Sequence, residues 1–266
     1  GATAGCSFPG EGLQHSDCTS QLVAGTTPNC KSYDPTFSYE VAVIMHQGVK
    51  DMLEDQKDVF YYVTTTNENC SHPDMPEGVY DGIIKGMYLY QAGGKDKKAP
   101  RVQLMGAGGS LLSAIKAAEM LKADFGVEAD VWSCPSFVEL GRDGFDAERW
   151  NRLHPEAKKP RVAYVTECLT GHAGPVVAVS EYVRGVVDQV RAFIPAGQSF
   201  TALGSDGYGR SDTREALRDF FEVDAGWIAH AALAALAAEG KVEKSAVTKA
   251  IKKYGIDQDK PNPLTV

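Results

Sequence analysis

The spacing of apolar residues divides the first part of the chain into a helix, a strand and loops. Between residues 39 and 53 apolar side chains recur at the period of an amphipathic helix. Residues 59–65 follow as a run of β-branched and aromatic side chains, which predicts a strand. Residues 67–78 contain two prolines and indicate a loop, whereas residues 80–90 are compatible with a helix or a strand. Residues 1–32 show little periodicity, which predicts loops and a short strand.

Beyond residue 100 strand-like and helical segments alternate regularly. The predicted strands are residues 101–105, 130–134, 161–167, 176–179 and 199–203. The predicted helices are residues 110–125, 144–153, 181–193, 212–221, 225–239 and 245–254. Ser110 and Asp212 stand where helix caps are expected, and Gly126 and Gly240 where helices end. This alternation indicates an α/β fold with a mostly parallel sheet and helices on both faces.

A polar, glycine-bearing connector at residues 91–100 separates these two patterns. Segments of this composition commonly join domains. The sequence therefore predicts one unit over residues 1–92 and a second over residues 98–266. The chain starts with Gly instead of Met, so we expect it to begin within a longer polypeptide.

The overall charge argues against nucleic acid as a partner. The 266 residues carry a formal net charge of −8 and have a sequence pI near 5.3, with no stripe of Lys and Arg. Binding to a phosphate backbone needs such a stripe to displace counterions. The longest apolar stretches are short or interrupted by charges, which predicts no membrane segment. The absence of a signal-peptide pattern favours a cytoplasmic protein.

Cysteines and histidines do not form a metal motif in the sequence. The six cysteines contain no C-x-x-C pair, so neither a zinc site nor a dense disulfide framework is expected. The six histidines have no H-E-x-x-H spacing. We therefore expect no metal ligand in this chain.

A glycine-rich turn between a predicted strand and a predicted helix is one candidate site. Gly106-Ala107-Gly108-Gly109-Ser110 would aim backbone N–H groups at an anion such as a phosphate. Leu111 stands where a dinucleotide fingerprint has its third glycine. The alternative is a tight turn that needs glycine for its backbone angles.

Glu11 and His15 form the second candidate. They lie four residues apart in a glycine-flanked segment, where one helical turn would bring a carboxylate and an imidazole to the same side. No G-x-S-x-G elbow and no P-loop motif is present, so serine-hydrolase and P-loop functions are excluded.

A series of motifs along the whole chain resembles the homodimeric, bacterial-type pyruvate dehydrogenases, the first component of the pyruvate dehydrogenase complex. The residues that carry this resemblance occur in the family's order. They include Gly10-Glu11-Gly12-Leu13-Gln14-His15, Tyr33-Asp34-Pro35, Asn67-Glu68-Asn69, Met75-Pro76-Glu77-Gly78, Phe137-Val138-Glu139-Leu140, Glu148-Arg149-Trp150-Asn151 and Asp206-Gly207-Tyr208-Gly209-Arg210-Ser211-Asp212.

The resemblance implies the fold and the chemistry. Residues 1–92 would be the end of the middle, pyrimidine-binding domain, and residues 98–266 a transketolase-like C-terminal α/β/α sandwich. Family membership implies thiamine-diphosphate-dependent oxidative decarboxylation of pyruvate with reductive acetylation of a lipoyl group. His15 would be a catalytic, cofactor-facing donor, and Glu11 a second catalytic residue that orients it or relays protons.

The resemblance also implies partners and a division of labour. We expect a homodimer that meets pyruvate and the dihydrolipoyl acetyltransferase component. The family's magnesium-diphosphate motif is not in this sequence, so thiamine diphosphate and Mg²⁺ would be bound mainly by residues outside this chain, and the chain alone would be inactive. The alternative is a structural or dimerisation module of a related thiamine-dependent 2-oxo-acid dehydrogenase or transketolase. Cys70 departs from the family, whose members usually carry an aromatic residue there.

Overall fold

The computed structural model describes residues 13–96 and 98–266. The helices are α1 (Ser20–Thr26), α2 (Ser38–Val49), α3 (Tyr80–Lys85), α4 (Gly109–Phe125), α5 (Phe137–Leu153), α6 (Tyr164–Leu169), α7 (Gly185–Asp188), α8 (Arg214–Phe220), α9 (Ala225–Ala238) and α10 (Lys244–Tyr254). The strands are β1 (Cys30–Tyr33), β2 (Phe60–Val63), β3 (Tyr88–Gln91), β4 (Arg101–Gly106), β5 (Glu128–Ser133), β6 (Val176–Val179) and β7 (Phe200–Leu203). A π-helical turn, Lys50–Glu54, extends α2, and 3₁₀ turns occupy Arg191–Phe193 and Pro263–Thr265.

The first part of the chain is a small α/β layer. Strands β1 and β2 pair in parallel, with Cys30 opposite Phe60. Helix α2 covers them with Val43 and Ile44, as its apolar spacing predicts. The Glu40 carboxylate accepts hydrogen bonds from two backbone N–H groups just before the helix and so fixes its start. The predictions of this helix and this strand are confirmed.

The second part is a five-stranded sheet in the order β3-β5-β4-β6-β7. All neighbours run parallel except β3, which pairs antiparallel with β5. Leu104 of β4 lies opposite Val131 on one side and Val177 on the other. The predicted α/β class with a mostly parallel sheet is confirmed.

Helices cover both faces of this sheet. Successive side chains of each strand point to opposite faces, so each strand contributes residues to the packing on both faces. Leu104 packs on one side in a core with residues of α4, α8, α9 and α10. Met105 packs on the other side with residues of α5, α6 and α7. The sheet is therefore the middle layer of an α/β/α sandwich.

Three sequence predictions of local structure were wrong. Residues 20–26 form α1 where a loop or strand was expected, and residues 164–169 form α6 where a strand was expected. The helix predicted for residues 181–193 is divided between α7 and a 3₁₀ turn. All three segments are short, so tertiary contacts decide their conformation over local preference. For residues 80–90, which were left open, the structure has both a helix and a strand.

Two helix caps also differ from the prediction. Gly108 is the residue before α4, and the Ser110 hydroxyl is buried without a hydrogen-bond partner. Thr213, and not Asp212, caps α8, because its side chain accepts a hydrogen bond from the N–H of Ala216. Gly126 and Gly240 end their helices with positive φ, as predicted.

The strands before and after the connector both belong to the larger sheet. Strand β3, which precedes it, pairs with β5, so residues 92–100 link two strands of the same five-stranded sheet. The division into residues 1–92 and 98–266 stays a prediction.

Among the described residues, one segment, Arg214–Ala238, is long and apolar enough by composition to cross a membrane. The structure divides it into α8 and α9, with Glu222 at a positive φ between them. Helix α9 buries Ile228 and Leu233 in the core beside α4. These buried side chains identify α9 as a core helix of the sandwich.

Candidate functional site

His15 lies in a turn that directly precedes α1. Residues 13–15 form this turn, and the His15 side chain is exposed. Glu11, its predicted partner, falls outside the described residues, so the pairing of the two stays a prediction. The imidazole is at the surface, where another molecule can reach it.

The start of α1 is fixed immediately after this turn. One carboxylate oxygen of Asp17 accepts hydrogen bonds from the N–H groups of Thr19 and Ser20, at 3.2 and 2.9 Å. Such a carboxylate satisfies N–H groups that have no partner within the helix. The carbonyl of Cys18 accepts a 2.9 Å hydrogen bond from the N–H of Val183, just before α7. The residues that join the turn to α1 are therefore tied to the segment before α7.

Gln21 anchors the inner side of α1. It is 3% exposed, and its amide donates to the Thr64 hydroxyl at 3.1 Å and to the Tyr33 carbonyl at 3.3 Å. Its carbonyl oxygen accepts a hydrogen bond from the Ser32 hydroxyl. A buried amide with these partners fixes α1 against the ends of β1 and β2.

The strand order places a topological switch point between β4 and β6. In open α/β sheets ligands commonly bind outside the carboxyl ends of the strands at such a point. The turn Gly106–Ser110, the phosphate candidate, lies there at the start of α4.

In this protein, side chains from other parts of the chain occupy the space beside this turn. A Cβ on Gly108 would lie 2.6 Å from a carboxylate oxygen of Asp34, and one on Gly109 would lie 2.8 Å from a carboxylate oxygen of Glu181. The Thr36 hydroxyl donates to the Gly108 carbonyl at 2.7 Å. The carboxyl groups of Asp34 and Glu181 occupy the space where a phosphate would bind, so the tight-turn interpretation agrees with the structure.

Glu181 is part of a buried ionic network. It is 1% exposed, and one oxygen accepts hydrogen bonds from Arg218 at 2.8 and 2.6 Å. Arg218 also donates to both carboxylate oxygens of Glu68, at 3.0 and 2.5 Å. Burial raises the pKa of Glu181, an effect that the Arg218 charge partly offsets. Burial lowers the pKa of Arg218, but the two carboxylates outweigh it, so the net shift is upward.

Asp34 is a second carboxyl group near this turn whose pKa is shifted upward. Burial raises the pKa of Asp34 to about 7, against the hydrogen bond that Thr64 donates at 2.7 Å, and the negative charges of Glu181 and Glu40 add to the rise. Its N–H donates to the Pro135 carbonyl, and its own carbonyl accepts from the N–H of Gly108. Asp34 therefore connects the end of β1 to both β5 and α4.

A separate polar network lies at the amino ends of β4 and β5. Asp130 accepts hydrogen bonds from Arg101 at 3.0 Å, Gln103 at 2.9 Å and His172 at 3.0 Å. Burial raises the pKa of Asp130, and these donors together outweigh it and lower the net value. The ring of His172 packs edge-on against Trp132. Across residues 13–96 and 98–266, no group of three or more His, Cys, Asp or Glu side chains is arranged to hold a metal ion.

Sequence analysis missed these networks because their members lie far apart along the chain. Arg218 and Glu68 are separated by 150 positions, and Gln103 and Asp130 by 27. Neither pair follows a local spacing rule. Asp34 was named only within Tyr33-Asp34-Pro35, and its contact with the glycine turn appears only in three dimensions.

Comparison with protein families gives two matches. Residues 1–73 match the pyruvate dehydrogenase E1 component middle domain. Residues 86–224 match the transketolase-like TK C-terminal domain. The second match begins before β3, which agrees with the place of that strand in the five-stranded sheet.

Curated relatives are similar over the whole chain. The pyruvate dehydrogenase E1 component of Cupriavidus necator is 51% identical over 100% of this chain, that of Pseudomonas aeruginosa is 53% identical over 99%, and that of Escherichia coli strain K12 is 49% identical over 99%. The chain spans about 30% of the length of these relatives.

Solved structures show the same fold at low sequence identity. A transketolase mutant from Pichia Stipitis superposes with a TM-score of 0.60 at 18% identity, covering 90% of this chain and 30% of the other. A split-gene transketolase, described as an inactive beta4 tetramer, superposes with a TM-score of 0.55 at 15% identity over 85% of this chain and 64% of the other.

The family matches and the curated relatives together decide the family. This chain belongs to the pyruvate dehydrogenase E1 component family and contains the family's transketolase-like C-terminal domain.

Proposed function

We propose that this chain is part of a homodimeric pyruvate dehydrogenase that decarboxylates pyruvate oxidatively with thiamine diphosphate and acetylates a lipoyl group. The identity of 51–53% to E1 components over essentially the whole chain carries the proposal. The partners are then a second copy of the E1 polypeptide, pyruvate and the dihydrolipoyl acetyltransferase component, in the cytoplasm. Residues 1–92 belong to the middle domain and residues 98–266 to the C-terminal domain.

His15 is the residue of the described part that serves the chemistry, with Glu11 as its proposed partner. The exposed imidazole stands on a turn that Asp17 and Cys18 tie to the rest of the chain. When bound, thiamine diphosphate supplies an electron sink for the carbon–carbon bond that breaks. His15 supplies an N–H donor to the oxygen on which negative charge develops, and it can return a proton there. Glu11 orients the imidazole or relays its proton.

The described residues would form part of such a site and not the whole of it. His15 is a suitable donor, but the described part offers no carboxylate cluster for Mg²⁺. We propose that thiamine diphosphate and Mg²⁺ are bound mainly by polypeptide outside these 266 residues, because the family's magnesium-diphosphate motif is not in this sequence. The chain alone is accordingly inactive.

A second candidate is a structural or dimerisation module of a related thiamine-dependent 2-oxo-acid dehydrogenase or transketolase. The filled switch point favours this role for the C-terminal domain, because Asp34 and Glu181 occupy the place where α/β sheets usually bind ligands. The two roles are compatible, since they concern different parts of the chain.

The test compares this chain with a full-length E1 polypeptide that contains it. We expect the full-length protein to release CO₂ from pyruvate and to acetylate a lipoyl domain. We expect the 266-residue chain to show no Mg²⁺-dependent binding of thiamine diphosphate by calorimetry. Preference of the full-length protein for 2-oxoglutarate or a ketose phosphate over pyruvate would refute the proposed substrate, and saturable cofactor binding by the chain alone would refute the division of the site.

A further inference from the structure

We infer that Arg142 is a positioning residue for His15, since it fixes the far end of the short helix whose near end carries the His15 turn. The inference rests on the proposed role of His15. It gives the C-terminal domain a part in the reaction, because Arg142 lies on α5.

The Arg142 guanidinium binds three backbone carbonyls where the chain passes from α1 into β1. One terminal nitrogen donates to the Cys30 carbonyl at 2.6 Å, and the other donates to the carbonyls of Gly25 at 3.0 Å and Thr27 at 2.8 Å. The first nitrogen also donates to Glu139 at 2.8 Å, one turn earlier on α5. More than 110 residues separate Arg142 from these carbonyls.

These contacts explain why the residue is an arginine. Carbonyls at the end of a helix have no intrahelical partner and need donors from elsewhere. A planar guanidinium presents five N–H groups in a fixed fork, so it can reach several carbonyls at once. A lysine ammonium is compact and cannot span the same set. Glu139 holds the guanidinium in orientation and balances its charge.

Helix α1 transmits this anchoring to His15. The helix has seven residues, about two turns, and Ser20 at its start is five positions after His15. Its other end is tied to the same domain through the hydrogen bond from Val183 to Cys18. The end of α1 also packs closely on α5, since a Cβ on Gly25 would lie 3.3 Å from the Val138 side chain.

Loss of the guanidinium would release the anchor at the end of α1 and leave those through Gln21 and Cys18. Helix α1 could then shift along its axis and carry the His15 turn with it. Displacement of a catalytic group by about 1 Å can cost on the order of 100-fold in rate. If Arg142 acts by positioning, its loss lowers the rate only while the His15 imidazole is present. A general loss of stability would lower the rate with or without that imidazole.

The test is a double-mutant cycle in a full-length E1 polypeptide that contains this chain, loaded with thiamine diphosphate and Mg²⁺. Arg142→Met and Arg142→Lys are made alone and together with His15→Ala. Arg152→Met is the matched control, because Arg152 lies on the same helix with an exposed side chain and only an exposed pair with Glu148. The rate of pyruvate decarboxylation and the thermal unfolding midpoint are measured for each protein.

We expect Arg142→Met to lower kcat about tenfold or more, Arg142→Lys to lower it less, and Arg152→Met to leave it unchanged. With His15→Ala present, the further loss from Arg142→Met should be less than about twofold, because the route through the imidazole is already gone. If Arg142→Met does not fold, the Arg142→Lys cycle decides.

Equal losses in both backgrounds, or full activity of both Arg142 variants, would overturn the inference while His15 keeps its role. Full activity of His15→Ala itself would instead overturn the proposed site, and the inference with it.

Discussion

The guanidinium of Arg218 donates to both carboxylate oxygens of Glu68, at 3.0 and 2.5 Å, across 150 positions of the sequence. The same guanidinium binds the buried carboxylate of Glu181. It therefore joins the loop after β2 to α8 and to the end of β6. The contact ties Glu68 to the rest of the fold within the Asn67-Glu68-Asn69 segment, which has no regular secondary structure.

Replacement of Arg218 should destabilise the protein strongly. Arg218→Met leaves the 1% exposed Glu181 without its charged partner, and such a loss typically costs about 3–5 kcal/mol. The free energy of unfolding, from urea denaturation of the purified chain, measures the effect. Lys253→Met removes an exposed pair with Asp124 and should cost less than about 1 kcal/mol. Equal losses in the two variants would contradict the role assigned to Arg218.

The glycine at position 108 is required by its backbone angle and by its neighbour. Gly108→Ala combines a residue at φ +51° with a Cβ placed 2.6 Å from the Asp34 carboxylate. Gly126→Ala is a matched control, since Gly126 has φ +64° but nothing lies within 4 Å of its Cβ position. We expect about 1 kcal/mol of destabilisation for Gly126→Ala and at least about twice as much for Gly108→Ala. Thermal unfolding of both variants checks this, and equal midpoints would show that the close approach has no energetic effect.

Asp34 should make the stability of the chain depend on pH. Because burial raises its pKa from 3.8 to about 7, the folded state holds a proton between those values that the unfolded state has released. This contribution to stability is full below about pH 4 and is lost as the pH rises towards 7.

Asp34→Asn should remove that dependence. The amide keeps an oxygen that can accept the hydrogen bond from Thr64, and it cannot ionise. From pH 5 to pH 8 the free energy of unfolding of the parent should fall relative to the variant by on the order of 2 kcal/mol, discounted for the partial exposure of Asp34. Asp58→Asn, at an exposed position, serves as the control. Parallel pH curves for parent and Asp34→Asn would mean that Asp34 is ionised throughout this range.

The elements that the sequence predicts well are those that bury a continuous apolar face. Helix α4 buries Leu111, Ala114 and Leu121 at helical spacing, and β6 is a run of four buried residues. Helix α1 could not be predicted in this way, because its one fully buried side chain is the polar Gln21. Its conformation depends on Arg142 and Val183, both more than 100 residues away.

The candidate site likewise contains some residues that the sequence indicates and others that it does not. His15 and Glu11 stand in a local motif, so the sequence indicates them. The groups that hold the His15 turn in place come from α1, α5 and the residues before α7, and no spacing rule connects them. The glycine turn at the start of α4 shows the opposite case. Its pattern suggests an anion site, yet the carboxyl groups of Asp34 and Glu181 already occupy the space beside it.

The rate of CO₂ release from pyruvate by a full-length E1 polypeptide with His15→Ala tests the central claim most directly. Loss of a positioned proton carrier typically costs about 10²–10⁴-fold, and we expect a loss in this range in kcat, with the fold and the thermal unfolding midpoint unchanged. His46→Ala, which changes another exposed histidine, should retain the parent rate. A His15→Ala protein as active as the parent would contradict the account.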